Sequence, residues 1–305
     1  MKFILLAILS ILITLPSFGQ INPEDSTVQV IGFWDRNEKQ SYAVSLEKFK
    51  VNGRDTTSRE LIKYDVEITI KDSTSNSYIA EWFYRNYTTN SENKVMQRML
   101  AVAQDVRVLI RTDEFGAIKE VVNWEEVRDY IKKATSLLRK EFKDVPKMDE
   151  VIAQVENMYL TKAAIESHAI LDAHQFYNFH GGKYKLGETL EGQLKTANLY
   201  GPEPFDTDVT VYLDEINEED NNYILRSTQS VNSEQLTNVT YAYLSDMAKK
   251  VGRPAPRRDE IGELTNETIT ASRIHGSGWV VYSILTKTVT AGTVSNIEER
   301  IIEIK

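Results

Sequence analysis

The sequence predicts an α+β fold in which a large, curved antiparallel sheet carries helices on one face. Three observations lead to this prediction. Strand-like alternation of apolar and polar residues occupies both halves of the chain, a helical period occupies the middle, and the order hairpin, helix, hairpin occurs twice. We therefore expect two related modules, residues 20–180 and 181–305, built either as two domains or as one continuous domain.

Residues 1–19 have the pattern of a secretory signal peptide. Lys2 precedes an uncharged run whose apolar part, residues 3–15, is shorter than the roughly 20 residues that span a bilayer. Pro16 breaks this run, and small residues just before Gln20 predict cleavage there. An uncleaved N-terminal anchor is the alternative. We expect an exported, soluble protein, periplasmic or extracellular, with no transmembrane span after the signal is removed.

The composition excludes several classes of protein. The 305 residues include no cysteine, so disulfides, thiolate metal sites, cysteine nucleophiles and N-terminal lipid attachment are excluded. The exported chain is therefore not expected to be a lipoprotein. The net charge of −9 argues against nucleic acid as a partner, because phosphate binding requires clustered positive charge.

The first half of the chain predicts two hairpins. Apolar and polar residues alternate cleanly over residues 61–71, which indicates a strand with one buried and one solvated face. Turn-forming residues occupy 72–76, and residues 78–87 return as the second strand. A second hairpin is predicted within 106–122, with its turn at 113–116.

The middle of the chain has a helical period. Apolar residues recur three or four positions apart from Trp124 to Phe142, with Asn123 at the N-cap position and acidic residues in the first turn. A second helix is predicted from Met148 and continues less regularly towards Tyr177. We expect this pair of helices, at about residues 123–178, to pack on the sheet.

The second half returns to strands. Residues 205–213 and 223–231 predict a hairpin, and a helix is expected over 233–250. Two long strands, 279–290 and 295–304, are predicted to end the fold, because β-branched and aromatic residues dominate them.

Three short features recur in the same order in both halves, about 150 residues apart, which predicts a duplicated module rather than a solenoid. They are Tyr78-Ile79 and Tyr223-Ile224, then Asn90-Ser91-Glu92 and Asn232-Ser233-Glu234, then Arg111 to Gly116 and Arg273 to Gly278.

Three segments resemble a group of uncharacterised secreted proteins of the Bacteroidota. They are Asn123-Trp124-Glu125-Glu126-Val127, Leu186-Gly187-Glu188-Thr189 and Gly278-Trp279. The resemblance implies no activity and no catalytic residue. The expected architecture is also similar to the periplasmic half-barrel carriers that hold lipoprotein acyl chains, although a shared fold does not establish a shared function.

No catalytic or metal motif is recognisable, so we expect no catalytic residue, no metal and no cofactor. His168, His174 and His180 are spaced six apart, which scatters them around a helix instead of placing them on one face. Ser277 lies in a predicted hairpin turn, whereas a nucleophile elbow joins a strand to a helix.

Aromatic residues are the candidates for ligand binding, because they either fill a core or line an apolar pocket. The candidates are Trp82, Tyr84, Tyr177, Phe179, Trp279 and Tyr282. The sequence therefore predicts an exported, non-enzymatic protein that binds an apolar or lipid-like small molecule or a cell-envelope protein. The alternatives are an envelope hydrolase that uses two carboxylates, and a structural or assembly protein with an exposed apolar patch or sheet edge.

Overall fold

The computed structural model describes residues 20–198 and 201–305, so the predicted signal peptide lies outside the described residues. The α+β class and the large antiparallel sheet are confirmed: one sheet has eleven strands and a second has three. Within the described residues, no helix combines the length and the apolarity that are needed to cross a membrane.

The strands are β1 (Ile21–Asn22), β2 (Thr27–Gln29), β3 (Lys39–Asn52), β4 (Asp55–Ser73), β5 (Ser77–Thr89), β6 (Arg107–Asp113), β7 (Ile118–Val121), β8 (Lys183–Lys185), β9 (Thr189–Thr196), β10 (Phe205–Asn217), β11 (Asn222–Val231), β12 (Leu264–His275), β13 (Val280–Ala291) and β14 (Val294–Ile304). The helices are α1 (Lys94–Val102), α2 (Trp124–Glu141), α3 (Met148–Met158), α4 (Lys162–Ala164), α5 (Leu171–Phe176), α6 (Ser233–Lys250) and α7 (Arg258–Ile261), and a π-helical turn spans Ile165–Ala169.

The two halves of the chain share one sheet. Its strand order is β7-β6-β5-β4-β3-β14-β13-β12-β11-β10-β9, and every neighbouring pair is antiparallel. The halves join where β3 pairs with β14, from Tyr42 opposite Ile304 to Asn52 opposite Val294. The order hairpin, helix, hairpin occurs twice, because α1 separates β5 from β6 and α6 separates β11 from β12.

The predicted pair of helices is divided into more segments than the sequence indicates. The first is α2, which begins directly after Asn123 as predicted. The second helix ends at Met158, and Thr161 then caps a new start by accepting a hydrogen bond from the amide of Ala164. The chain continues through the π-helical turn to α5, which lies against the sheet.

One face of the eleven-stranded sheet, called here the inner face, carries the core. Alternate residues of the central strands are buried on it, among them Tyr42, Val66 and Trp82. Phe176 of α5 packs edge-on against Tyr42 and against Trp82, with ring centroids 5.4 Å apart in both pairs. A buried apolar side chain such as Val66 or Phe176 contributes about 1.5–3 kcal/mol to the free energy of unfolding.

The three-stranded sheet, in the order β1-β2-β8, closes one end of this core. Next to it, Trp34 contacts Trp279 and His180 at ring-centroid distances of 5.2 and 5.6 Å. Burial lowers the pKa of His180 to about 4, so its imidazole is neutral at pH 7. The ring nitrogen Nε2 donates a hydrogen bond to the carbonyl oxygen of Gly278 at 2.8 Å.

The turn before β13 requires glycine. Gly278 has a φ of +83°, and a Cβ there would lie 2.3 Å from the carbonyl oxygen of Ile31. We therefore expect Gly278→Ala to lower the free energy of unfolding by at least about 2 kcal/mol, through backbone strain and displacement of the neighbouring segment.

Urea unfolding measures this effect, with Gly292→Ala as the matched control. Gly292 also has a positive φ, of +60°, but no atom lies within 4 Å of an added Cβ. Its substitution should lower the free energy of unfolding by only about 1 kcal/mol, because it adds backbone strain without a clash. Equal effects of the two substitutions would contradict the packing described for Gly278.

Candidate ligand-binding site

Five of the six aromatic candidates lie in the packed core. Their exposed fractions are between 1% and 6%, and they are Trp82, Tyr84, Tyr177, Phe179 and Trp279. The structure brings Trp82 and Tyr177 together, with the indole Nε1 donating to the tyrosine hydroxyl at 3.4 Å. Tyr282 lies apart from them, half-buried on the outer face of the sheet, opposite Glu303 of β14. A ligand-binding role for these six residues stays a prediction.

Helices cover the inner face at two places. At one end, α5 and residues of α2 such as Val127 and Ile131 join the main core. At the other end, Leu236 of α6 packs with Phe205, Val231 and Leu264. The inner face of β4, β3, β14 and β13 continues beyond the first of these clusters, towards the ends of the strands.

An open groove of about 400 Å³ lies there. Two rows of inner-face residues, one from each of the four strands, line it: Glu60, Lys48, Glu298 and Lys287 in the first row, and Ser58, Lys50, Asn296 and Val289 in the second. The volume is within the range of about 300–1,000 Å³ that is typical of small-molecule sites. Three further lining residues each lie between two residues of these rows along their own strand: Phe49, Arg59 and Ile297.

Charges in the open groove are only partly neutralised. Lys48 forms an ion pair with Glu298 at 3.4 Å, and the buried guanidinium of Arg300 donates to the same carboxylate at 3.1 Å. Lys50 and Lys287 have no carboxylate within 4 Å among the described residues. The Oε1 atom of Glu60 is buried with no hydrogen-bond partner in the described parts of the chain. The ammonium groups of Lys50 and Lys287 are exposed and therefore available to a bound molecule, whereas the buried oxygen of Glu60 is not.

A buried carboxylate separates the open groove from the aromatic core. Asp172 of α5 accepts hydrogen bonds from the hydroxyls of Tyr84 at 3.0 Å and Tyr64 at 3.2 Å, and from the amide of Ala173 at 2.9 Å. Burial raises the pKa of Asp172, while the charge of Arg300 and these hydrogen bonds oppose the rise. Burial and the same carboxylate raise the pKa of Tyr84.

Further polar contacts continue along the same boundary. Gln175 donates through Nε2 to Ser283 at 3.0 Å, and Ser272 donates to Ser283 at 2.8 Å. Asn178 donates to Ser227 on β11 at 3.3 Å. The segment that contains α5 is thus anchored to both halves of the sheet by hydrogen bonds as well as by its aromatic contacts.

The histidines do not converge on a metal site. His168 lies in the π-helical turn with its Nδ1 atom 3.2 Å from the carbonyl oxygen of Ala164, and His180 is in the aromatic core. The carboxylate of Asp172, four residues after His168, accepts hydrogen bonds from Tyr64 and Tyr84. Across residues 20–198 and 201–305, no three histidine or acidic side chains are grouped closely enough to hold a metal ion.

Ser277 contacts a histidine within its own turn. Its Oγ atom lies 2.8 Å from Nδ1 of His275, and the amide of Ser277 donates to the same nitrogen at 3.1 Å. Because the ring nitrogen accepts from the backbone amide two residues later, this contact stabilises the turn.

Two carboxylates face the open groove. Glu60 and Glu298 lie on β4 and β14 with β3 between them, so their backbones are about 10 Å apart by two interstrand spacings. The hypothesis of a carboxylate hydrolase stays a prediction.

The residues of the open groove are not among those that the sequence predicts for a site. Glu60, Glu298, Lys50, Lys287 and Arg300 belong to no motif. The one available signal is the appearance of Lys48 and Lys50 where the alternation of β3 would place apolar residues.

No protein-family model matches the chain, and no curated protein matches it significantly. The resemblance to secreted proteins of the Bacteroidota stays a prediction.

Asp172 should make stability depend on pH in a defined direction. Because its pKa is raised in the folded state, its contribution to the free energy of unfolding is complete below its unfolded pKa of 3.8. That contribution is lost as the pH rises through the folded-state pKa. Each tenfold difference in acid dissociation constant between the folded and unfolded states corresponds to about 1.4 kcal/mol.

We therefore expect the free energy of unfolding of the wild type, relative to Asp172→Asn, to fall between pH 4 and pH 7. Urea unfolding across this range measures it. Asp144→Asn, at an exposed loop position, is the control. Parallel pH profiles for the wild type and Asp172→Asn would contradict the buried environment assigned to this carboxylate.

Proposed function

We propose that this chain is a non-enzymatic binding protein whose ligand lies in the open groove. The ligand is an elongated, amphipathic molecule with an anionic group, which specifies further the apolar or lipid-like ligand expected from the sequence. The observation that carries the proposal is a groove of about 400 Å³ on the inner face in which Lys50 and Lys287 lack ion-pair partners among the described residues.

The charge of the groove supports an anionic group. Three lysines and two glutamates line it, whereas the whole chain has 36 basic and 45 acidic residues. Lys50 and Lys287 lie on the two strands that flank β14. Since lysine side chains are long and rotatable, both ammonium groups can reach one phosphate or carboxylate placed above β14.

The residues next to the open groove support an apolar portion. The adjoining row of the inner face has Ile62 on β4, Leu46 on β3 and Leu285 on β13, all half-buried. Val289 is within the groove itself. A chain lying along these side chains would remove apolar surface from water, at about 25 cal/mol per Å².

Export is part of the proposal. Gln20, the residue that should follow signal cleavage, is buried, and its side chain accepts a hydrogen bond from the hydroxyl of Tyr223. This supports the proposal, because the first residue of the exported chain would be part of the folded body. We place the protein in the periplasm or outside the cell, without a lipid anchor, where it carries an amphiphile or binds an envelope component.

The position of the cleavage site is directly measurable. Expression in a bacterium with a general secretion pathway should yield an exported chain whose intact mass corresponds to residues 20–305. Replacing residue 19 with a bulky side chain, Gly19→Trp, should slow the cleavage because signal peptidase requires a small residue there. Recovery of the chain from 1 to 305 in the cytoplasm would contradict export.

The proposed ligand class is tested with dodecyl phosphate below its critical micelle concentration. Isothermal titration calorimetry should detect one site, and Lys50→Glu or Lys287→Glu should weaken the binding by about tenfold or more, because each replaces an attraction with a repulsion. Dodecyl maltoside, an uncharged amphiphile with the same chain, should bind less tightly than dodecyl phosphate.

Lys63→Glu is the matched control, since Lys63 lies on β4 with its exposed side chain on the outer face, opposite Ser45. It makes the same change in net charge without altering the groove. The proposal is contradicted if dodecyl phosphate does not bind, or if all three substitutions weaken its binding equally.

A further inference from the structure

One edge of the eleven-stranded sheet is open. Strand β9 is the last strand, and it pairs with β10 from Thr189 opposite Tyr212 to Thr196 opposite Phe205. Seven of its eight residues are exposed, and nothing else in residues 20–198 and 201–305 pairs with it. Its second edge therefore presents unpaired backbone N–H and C=O groups, which are a template for another strand.

The opposite edge of the sheet is protected. Strand β7 has only four residues, and the amide of Val121 donates to the carboxylate of Glu166 at 2.8 Å. Glu120 of the same strand forms ion pairs with Lys162 and Arg111. The segment from α4 through the π-helical turn thus covers β7, whereas β9 has no comparable cover among the described residues.

Apolar side chains accompany the open edge. Leu190 and Leu194 lie on the inner face of β9, and their exposed fractions are 49% and 51%. Gly192 lies between them, and a Cβ added there would meet no atom within 4 Å. The strand has no proline and no irregularity in its register with β10. Strand β9 therefore lacks a proline and a β-bulge, two features that commonly prevent another strand from pairing at a sheet edge.

We propose that β9 pairs with β9 of a second copy of this chain, in an antiparallel arrangement around a twofold axis. The two eleven-stranded sheets then form one continuous sheet across the interface. The self-complementarity of the strand supports this pairing, which does not depend on the proposed ligand.

The charges on β9 match those of an inverted copy of the same strand. Glu191 and Lys195 lie on the outer face, two residues before and two residues after Gln193. In an antiparallel pair centred on Gln193, Glu191 of each copy faces Lys195 of the other, twice by symmetry. Opposite-charge pairs across neighbouring strands stabilise a sheet, whereas like charges in the same positions destabilise it.

The inner face is complementary in the same arrangement. Leu194 of each copy lies opposite Gly192 of the other, with the leucines of the two copies as diagonal neighbours. Shifting the pairing by one residue on each strand, to a centre at Gly192, instead places Leu190 directly opposite Leu194. In both registers the four leucines form one apolar cluster, and Glu191 stays within side-chain reach of Lys195 of the other copy.

Charge reversal tests the pairing. Glu191→Lys gives a strand with two lysines, and Lys195→Glu gives a strand with two glutamates, so each variant repels itself and attracts the other. Sedimentation equilibrium should give a dimer for the wild type. Each single variant should dissociate about tenfold more readily, and an equimolar mixture of the two should recover the dimer. Glu191→Lys is the cleaner variant, because Lys195 also forms an ion pair with Asp206 of its own chain.

Two further measurements complete the test. Leu194→Lys should abolish the dimer, while circular dichroism and urea unfolding show an intact monomer, because Leu194 is half exposed and contributes little to the core. Salt at 0.5 M should reduce the difference between the charge variants, since exposed ion pairs are screened. A wild type that is monomeric at all concentrations, or a dimer that is unaffected by Glu191→Lys and Leu194→Lys, would overturn the proposal.

Discussion

The contact between α5 and the inner face of the sheet determines how the rest of the structure is arranged. This helix has only six residues, yet it joins strands from both halves of the chain. Phe176 packs against Tyr42 and Trp82, and Gln175 donates a hydrogen bond to Ser283 on β13. Without these contacts, the apolar part of one continuous eleven-stranded sheet would face water. The burial of this short segment therefore stabilises the curved sheet as a unit.

The character of the inner face follows from where this cover ends. Beneath α5 the face is aromatic and tightly packed, as it is at Trp82. At the boundary it becomes polar but stays buried, with Asp172 bound by two tyrosines. Beyond Arg300 it is open and carries charged side chains. A single sheet thus provides both a tightly packed core and a groove in which Lys50 and Lys287 have no ion-pair partner among the described residues. The proposed binding function depends on this change from a packed to an open inner face along β4, β3, β14 and β13.

The sequence predicts the strands in which apolar buried residues alternate regularly with polar exposed ones. Strand β4 is recognisable because its inner residues, such as Ile68, are apolar throughout its buried part, whereas β3 is not, because Lys48 and Lys50 interrupt its alternation. The hairpin turn at Ser277 is predicted, but the bounds of β12, the strand before it, are not, since Thr270 and Ser272 are among its buried residues. The groove has no local motif, because pairing of strands that are distant in sequence assembles it. Aromatic content indicates a core but not a site.

The most direct test of the proposed binding surface is an amide chemical-shift titration by NMR with dodecyl phosphate. We predict that shifts concentrate at residues 48–50, 58–60, 287–289 and 296–298, where four strands line the open groove. Amides around Trp82, Tyr177 and Trp279 should stay unchanged, because those side chains are already packed against one another and their neighbours. Shifts confined to these aromatic residues, or scattered over the outer face, would contradict the claim that the uncovered inner face is the binding surface.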